Sequence, residues 1–136
     1  AITPDGWLNT GDLALLHDVS GLLAGAMQGA DLTIVVSNDD GGGIFEYLPA
    51  ARTLPRPVFE RMFAVPHGLD LCGLARGLGW QAARVESAAA FSDGLTQALA
   101  GGRHVIEVPV DRAANTAFHG TVNATVSARL SQEWSA

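Results

Sequence analysis

Lysine is absent from all 136 residues. That excludes Schiff-base chemistry and the phosphate-gripping lysine of a P-loop. The eight basic residues are all arginines, scattered from Arg52 to Arg129, and the formal net charge is −6. Such a surface is a poor partner for nucleic acid, so an anionic ligand has to be held by backbone amides, arginine or a metal. Cys72 is the only cysteine, which leaves no internal disulfide and no cysteine zinc cluster. Its place in an apolar helical pattern predicts a core thiol. The longest apolar run, Leu32 to Val36 with Thr33 inside it, falls far short of the roughly 20 residues that span a bilayer. The first residues carry neither a basic nor an apolar leader segment, and a cytoplasmic location is the expectation.

What is present suits one domain. Hydrophobic residues make up 48% of the chain, enough for a single core at this length. Positions 17–28 carry Val19, Leu22, Leu23, Ala26 and Met27 at helical spacing. Leu32 to Val36 reads as a strand buried on both faces, opening into the glycine-rich stretch 37–43. Residues 49–57 hold Pro49, Pro55 and Pro57 and predict a surface excursion. Asp70 caps a predicted helix that runs to about Leu78, with Gly79 as its stop. A strand follows over 80–85, then a helix opened by Ser87, a strand over 104–110 and a mostly helical tail. This alternation predicts an α/β fold in three layers, a mostly parallel sheet with helices on both faces and ligands beyond the C-terminal strand ends.

Two acidic clusters, Gly11-Asp12 and Asn38-Asp39-Asp40-Gly41-Gly42-Gly43, are separated by a predicted helix and strand. Both can reach the same edge of such a sheet. Magnesium takes about six oxygens, typically one or two carboxylates with phosphates and water, and Asp12, Asp39 and a backbone carbonyl suit it. The glycines let backbone approach a diphosphate, and a helix near His17 can aim its N-terminal amides at the anion. Asn, Asp and Gly also dominate ordinary turns, and Asp40 reads better as a loop carboxylate. His17 and Asp18 read as helix-start residues. His67, His104 and His119 have no partners at metal-ligand spacing and read as surface or packing residues. Asp111 and Arg112 suit helix or subunit contacts.

The spacing of Asp12 to Asp39, 27 positions, resembles the signature of thiamine-diphosphate enzymes. The ordered blocks GDLALLHDVSGLL, LTIVVSNDDGGGIFEYLP and FERMFAVPHGLDL are similar specifically to the MenD-type 2-succinyl-5-enolpyruvyl-6-hydroxy-3-cyclohexene-1-carboxylate synthases, over roughly residues 11–131. The resemblance implies a thiamine-diphosphate-binding fold over 11–136, preceded by an atypical segment at 1–10. It implies cofactor contacts from Gly11, Asp12, Leu13, Asn38, Gly41, Gly42 and Ile44. Magnesium would be held by the Asp12 and Asp39 side chains and the Gly41 carbonyl, and Ile44 and Phe45 would form an apolar wall on the substrate side. It further implies a homo-oligomer whose coenzyme lies against a pyrimidine-binding domain that supplies an activating glutamate. The family reaction decarboxylates 2-oxoglutarate and adds the succinyl unit to isochorismate, in menaquinone synthesis.

Three departures bear on these expectations. Asp39 stands where the family has asparagine, which puts an extra negative charge beside a diphosphate. Ala14 replaces a common hydroxyl residue. Residues 3–10, TPDGWLNT, are polar and make a poor central strand. PDGWLNTGDLA also resembles a motif of adenylate-forming acyl-CoA synthetases, but nothing after Ala14 continues it and the catalytic lysine of that family cannot exist here. None of Glu46, Glu60, Glu86, Glu107 and Glu133 falls where the activating glutamate is needed. The isolated chain is therefore expected to be inactive. A non-catalytic phosphate- or metal-binding module is the alternative.

Overall fold

The computed structural model describes residues 5–134, so Thr3 and Pro4 lie outside the described residues. Four strands, β1 (Asp5–Gly11), β2 (Asp31–Asn38), β3 (Gln81–Arg84) and β4 (Arg103–Pro109), form one sheet in the order β1-β2-β4-β3, every pair parallel. Residues 5–11, whose polarity argued against a central strand, do form a strand, and they form it at the sheet's edge with Trp7 and Leu8 largely exposed. The β-branched run at 32–36 fills the middle of β2, flanked on both sides, as a doubly covered strand requires.

Helices cover both faces. On one, Leu15 of α1 (Asp12–His17), Leu22 of α2 (Val19–Gln28) and Leu71 and Ala75 of a later helix pack on Ile34, Val36 and Val105. Trp80 closes this core and donates its indole N–H to the Leu22 carbonyl at 2.7 Å. Between β2 and that later helix the chain makes a 3-10 turn over 43–47, two single-turn helices, α3 (Ala50–Thr53) and α4 (Arg56–Phe59), and a π-helical turn over 60–64. The later helix is α5 (Leu71–Gly77), and Asp70 caps it by accepting the Gly73 amide at 2.8 Å. The proline-rich excursion is thus turns of helix too short to show a period in sequence. On the other face α6 (Ala88–Ala98), capped by Ser87, lies over β4, with Gly94 against Ile106. The last described element is α7 (Arg112–Trp134), with Asp111 accepting the Ala114 amide. No helix among the described residues is long and apolar enough to cross a membrane.

Register fixes what meets at the functional edge. Gly11 pairs with Ser37 and Asn38 with Pro109, so the C-terminal ends of β1, β2 and β4 lie side by side. This is the placement that brings ligands together in parallel α/β sheets.

Cys72 is core, as its pattern predicts. Burial first, and then the Glu107 carboxylate beside it, pushes its thiol up from the ordinary 9.0 to about 12. Between those two pH values the unfolded chain has released a proton that the folded chain retains, so stability falls as pH rises through that window. Chemical denaturation from pH 8.5 upward is expected to show this loss in the wild type, and a shallower loss in Cys72→Ala.

Candidate functional site

The helix after β1 begins at Asp12 and not near His17; His17 and Asp18 end α1 and form the break before α2. Asp12 is therefore the first helical residue, with its side chain turned into the protein and only 3% exposed. Its Oδ1 accepts the Leu13 amide and its Oδ2 the Gly41 amide, both at 2.7 Å. One carboxylate thus ties the end of β1 to the loop after β2.

A second contact is one the sequence did not indicate. His67 Nε2 stands 3.1 Å from Asp12 Oδ2, and the imidazole is almost fully buried. His67 Nδ1 accepts the Leu69 amide at 3.0 Å, so the ring proton sits on Nε2 and is donated to Asp12. Of the surface or packing role predicted for His67, the structure shows the buried one, with Asp12 as its partner. Its position in the PHGLDL block was the only signal available, because 55 residues separate it from its partner. His104 is a buried packing residue held at the Gly101 carbonyl, and His119 stacks edge-on against Tyr47.

Asp39 accepts the Gly43 amide at 3.2 Å through Oδ1. Burial first, and the nearby Asp12 charge, raise its pKa above the ordinary 3.8, against the lowering effect of the Gly43 bond. Holding Asp39 ionised therefore strains the metal-free site. Asp39→Asn removes that penalty, which is present above the folded pKa and absent below the unfolded one. The variant is expected to melt higher than wild type near pH 7 without metal, with the gain vanishing below pH 3.8.

Asp40 serves the loop, as expected. It adopts φ +58° and its Oδ1 accepts the His67 and Gly68 amides at 3.1 and 2.7 Å. The three glycines are also required by the protein's own packing. A Cβ on Gly41 would overlap the Ala64 carbonyl oxygen, one on Gly42 would lie 2.7 Å from the Phe63 carbonyl, and one on Gly43 would overlap the Asp39 carboxylate. Their smallness lets the loop seat on residues 63–65, where the Gly42 amide donates to Ala64 at 2.7 Å. Gly11, by contrast, opens to free space.

Asp39 borders two clefts. One of about 440 Å³ is lined by Gly43, Ile44, Tyr47, Asn115 and His119; the other, of about 380 Å³, by Asn38, Asp40, Gly68 and Arg84. Ile44 is 72% exposed, while Phe45 packs edge-on to Phe63. A larger cleft of about 710 Å³ beside Arg84, Phe91 and Pro109 contains neither carboxylate.

The donor chemistry fits a hard cation. A carboxylate offers about four lone-pair positions, and Asp12 uses three, leaving one on Oδ1. Among the described residues no three His, Cys, Asp or Glu side chains converge to cage a metal, so two carboxylates would need backbone, phosphate and water to complete the shell, the usual manner for magnesium.

Residues 4–108 match the family model described as thiamine pyrophosphate enzyme, C-terminal TPP binding domain. The chain is 43% identical over 92% of its length to the 2-succinyl-5-enolpyruvyl-6-hydroxy-3-cyclohexene-1-carboxylate synthase of Myxococcus xanthus, and 47% identical over 84% to that of Rhodococcus erythropolis. It spans only 21% of each of those relatives. The fold matches the thiamine diphosphate-dependent 4-hydroxybenzoylformate decarboxylase of Rhodococcus jostii with a TM-score of 0.66 at 23% identity, over 79% of this chain and 20% of that one. Benzoylformate decarboxylase from Polynucleobacter necessarius matches equally, with a TM-score of 0.66 at 23% identity over 79% and 20% of the two chains.

Proposed function

The chain belongs to the thiamine pyrophosphate enzymes, as their C-terminal TPP-binding domain, and on that premise we propose that it forms the magnesium-diphosphate half of the active site of a 2-succinyl-5-enolpyruvyl-6-hydroxy-3-cyclohexene-1-carboxylate synthase. The observation that carries this is the bond from the Gly41 amide to Asp12, which ties the loop that holds Asp39 to the end of β1, whose strand end adjoins that of β2. Asp12 and Asp39 would hold magnesium through their side chains and Gly41 through its carbonyl. Gly11, Leu13, Asn38 and Gly42 would flank the diphosphate, and exposed Ile44 with Phe45 would border the reacting end. When bound, thiamine diphosphate supplies the electron sink for decarboxylating a 2-oxo acid. The substrates on this reading are 2-oxoglutarate and isochorismate, in cytoplasmic menaquinone synthesis by a homo-oligomer.

The chain's own glutamates support a half-site. Glu46 is held below the usual carboxylate range by its paired hydrogen bonds from Arg56, at 2.7 and 2.9 Å. Glu60 is shared between Arg56 and Arg112, and Glu107 is buried. Glu86 is paired with Arg84, and Glu133 sits on the exposed final helix. None of these is a free base facing Asp12, and proton transfer needs one within hydrogen-bonding reach.

The chain alone, with magnesium and thiamine diphosphate, is expected to release no carbon dioxide from 2-oxoglutarate above the coenzyme's own background. Mixing it with a separately produced pyrimidine-binding domain of a synthase relative is expected to restore isochorismate-dependent consumption of 2-oxoglutarate. Robust turnover by the chain alone would overturn the half-site. Coenzyme-free behaviour in every mixture would favour a non-catalytic module.

A further inference from the structure

Glu107 sits inside the sheet on β4, only 2% exposed, and the function proposed above gives it no part. A buried carboxylate gives little net stability even when paired, and persists where its partners compensate for lost hydration. Three groups do so. Oε1 accepts the Asn38 side-chain amide at 2.8 Å and Arg84 Nη1 at 3.1 Å; Oε2 accepts the Cys72 thiol at 3.3 Å.

Asn38 is the last residue of β2. With its Nδ2 committed to Glu107, its Oδ1 faces the other way and accepts the Asp40 amide at 2.9 Å. An acceptor-only carboxylate on one side and an N–H on the other permit a single orientation of that side chain. The bond it closes spans Asp39 and holds Asp40 at φ +58°, ahead of Gly41 at +130°. Left-handed backbone at a non-glycine residue persists only when its surroundings over-determine it. Here the chain of bonds from Glu107 through Asn38 to the Asp40 amide acts on the backbone before the turn, beside the His67 and Gly68 amides on the Asp40 side chain and the Gly41 amide on Asp12.

We infer that Glu107 is a positioning residue for the metal-diphosphate loop: by orienting Asn38 it sets the 39–41 turn, and so where the Asp39 carboxylate and Gly41 carbonyl stand. What the turn holds rests on the function proposed above; that Glu107 sets the turn does not.

The test is a donor–acceptor inversion. In Asn38→Asp the donor to Glu107 is lost, and repulsion between the two carboxylates turns the side chain away from the Asp40 amide that it would otherwise still accept. In Asn38→Asp/Glu107→Gln the side-chain bond returns with its direction reversed, while Arg84, half exposed and already paired with Glu86, turns to that partner. Amide exchange by NMR on the coenzyme-free chain reads the turn directly. The Asp40 amide is expected to exchange about tenfold faster in Asn38→Asp, the usual effect of losing one hydrogen bond. The double variant is expected to return to within about threefold of wild type. The Ile34 and Val36 amides in β2 report the fold; if the single variant loses these as well, the double variant has to recover both sets. Calorimetry with magnesium and thiamine diphosphate is expected to follow the same order, weakened in the single variant and recovered in the double. Only the single variant adds net charge, so the exchange data decide: added negative charge near an amide slows hydroxide-catalysed exchange, the opposite of the faster Asp40 exchange expected there. Unchanged Asp40 exchange in Asn38→Asp, or a double variant no better than the single, overturns the inference. Exchange that follows the expected order in a chain that binds no coenzyme upholds Glu107's hold on the turn and overturns the proposed function together with the loop's metal role.

Discussion

Replacing Asp12 with alanine is expected to abolish magnesium-dependent binding of thiamine diphosphate and to lower stability at the same time. The carboxylate accepts two backbone amides and the His67 ring. Its loss leaves the Gly41 amide buried without an acceptor, which costs about 1–3 kcal/mol. The two effects separate in Asp12→Asn, which keeps one carbonyl oxygen for Gly41 but no charge for a metal. That variant is expected to melt within a few degrees of wild type. Its affinity for the magnesium-coenzyme pair is expected to fall at least about 100-fold, the upper end of what losing a mere supporting partner costs. Thermal melts and calorimetry check this. Equal coenzyme affinity in Asp12→Asn and wild type would remove Asp12 from the metal site.

Gly41→Ala is expected to have the largest effect on folding of any single methyl addition to the loop. The residue adopts φ +130°, and a Cβ there would overlap the Ala64 carbonyl oxygen and stand 3.0 Å from that of Val65. Backbone at such a φ lies outside the left-handed helical well and costs an L-residue about 1–3 kcal/mol, and overpacking adds about 1–3 kcal/mol. The expected loss is therefore about 3 kcal/mol or more, a drop on the order of 10 °C in a domain of this size. Gly29 is the control: it too has positive φ, +67°, but nothing lies within 4 Å of its Cβ position. Gly29→Ala is expected to show only the smaller cost of left-handed helical backbone, roughly 1–2 kcal/mol, with no added contact. Denaturant unfolding of both variants checks the difference, and equal losses would show that contact with residues 64–65 contributes nothing.

Most of the fold was legible because its signals are local. Asp70, Ser87 and Gly79 mark helix ends through their own backbone neighbours, and the β-branched run at 32–36 marks the central strand by composition. The edge strand β1 was hidden because an exposed edge does not require apolar residues, so Trp7-Leu8-Asn9-Thr10 carries no periodic signal. The start of α1 at Asp12 was obscured because its first residue points its charge inward to the glycine loop instead of capping the helix.

In the site, the pairing of Asp12 with the 38–43 loop followed from spacing and parallel topology. His67 and Glu107 did not. Each acts across a long sequence separation, 55 residues from His67 to Asp12 and 69 from Glu107 to Asn38. Nothing in the composition around either residue marks its partner. The glycines were visible, but their function was not. Sequence shows that small residues are required, and only the structure shows that residues 63–65 and Asp39 fill the space.

The most direct test of the central claim is calorimetric titration of the wild-type chain with thiamine diphosphate, once with excess magnesium and once with a chelator. Asp12 and Asp39 repel a diphosphate unless a cation bridges them to it. Binding is therefore predicted at least about tenfold tighter with magnesium, and magnesium likewise tighter with coenzyme present, as linkage requires. Equal affinity with magnesium and with chelator would contradict the assignment of these two carboxylates to a metal-diphosphate site.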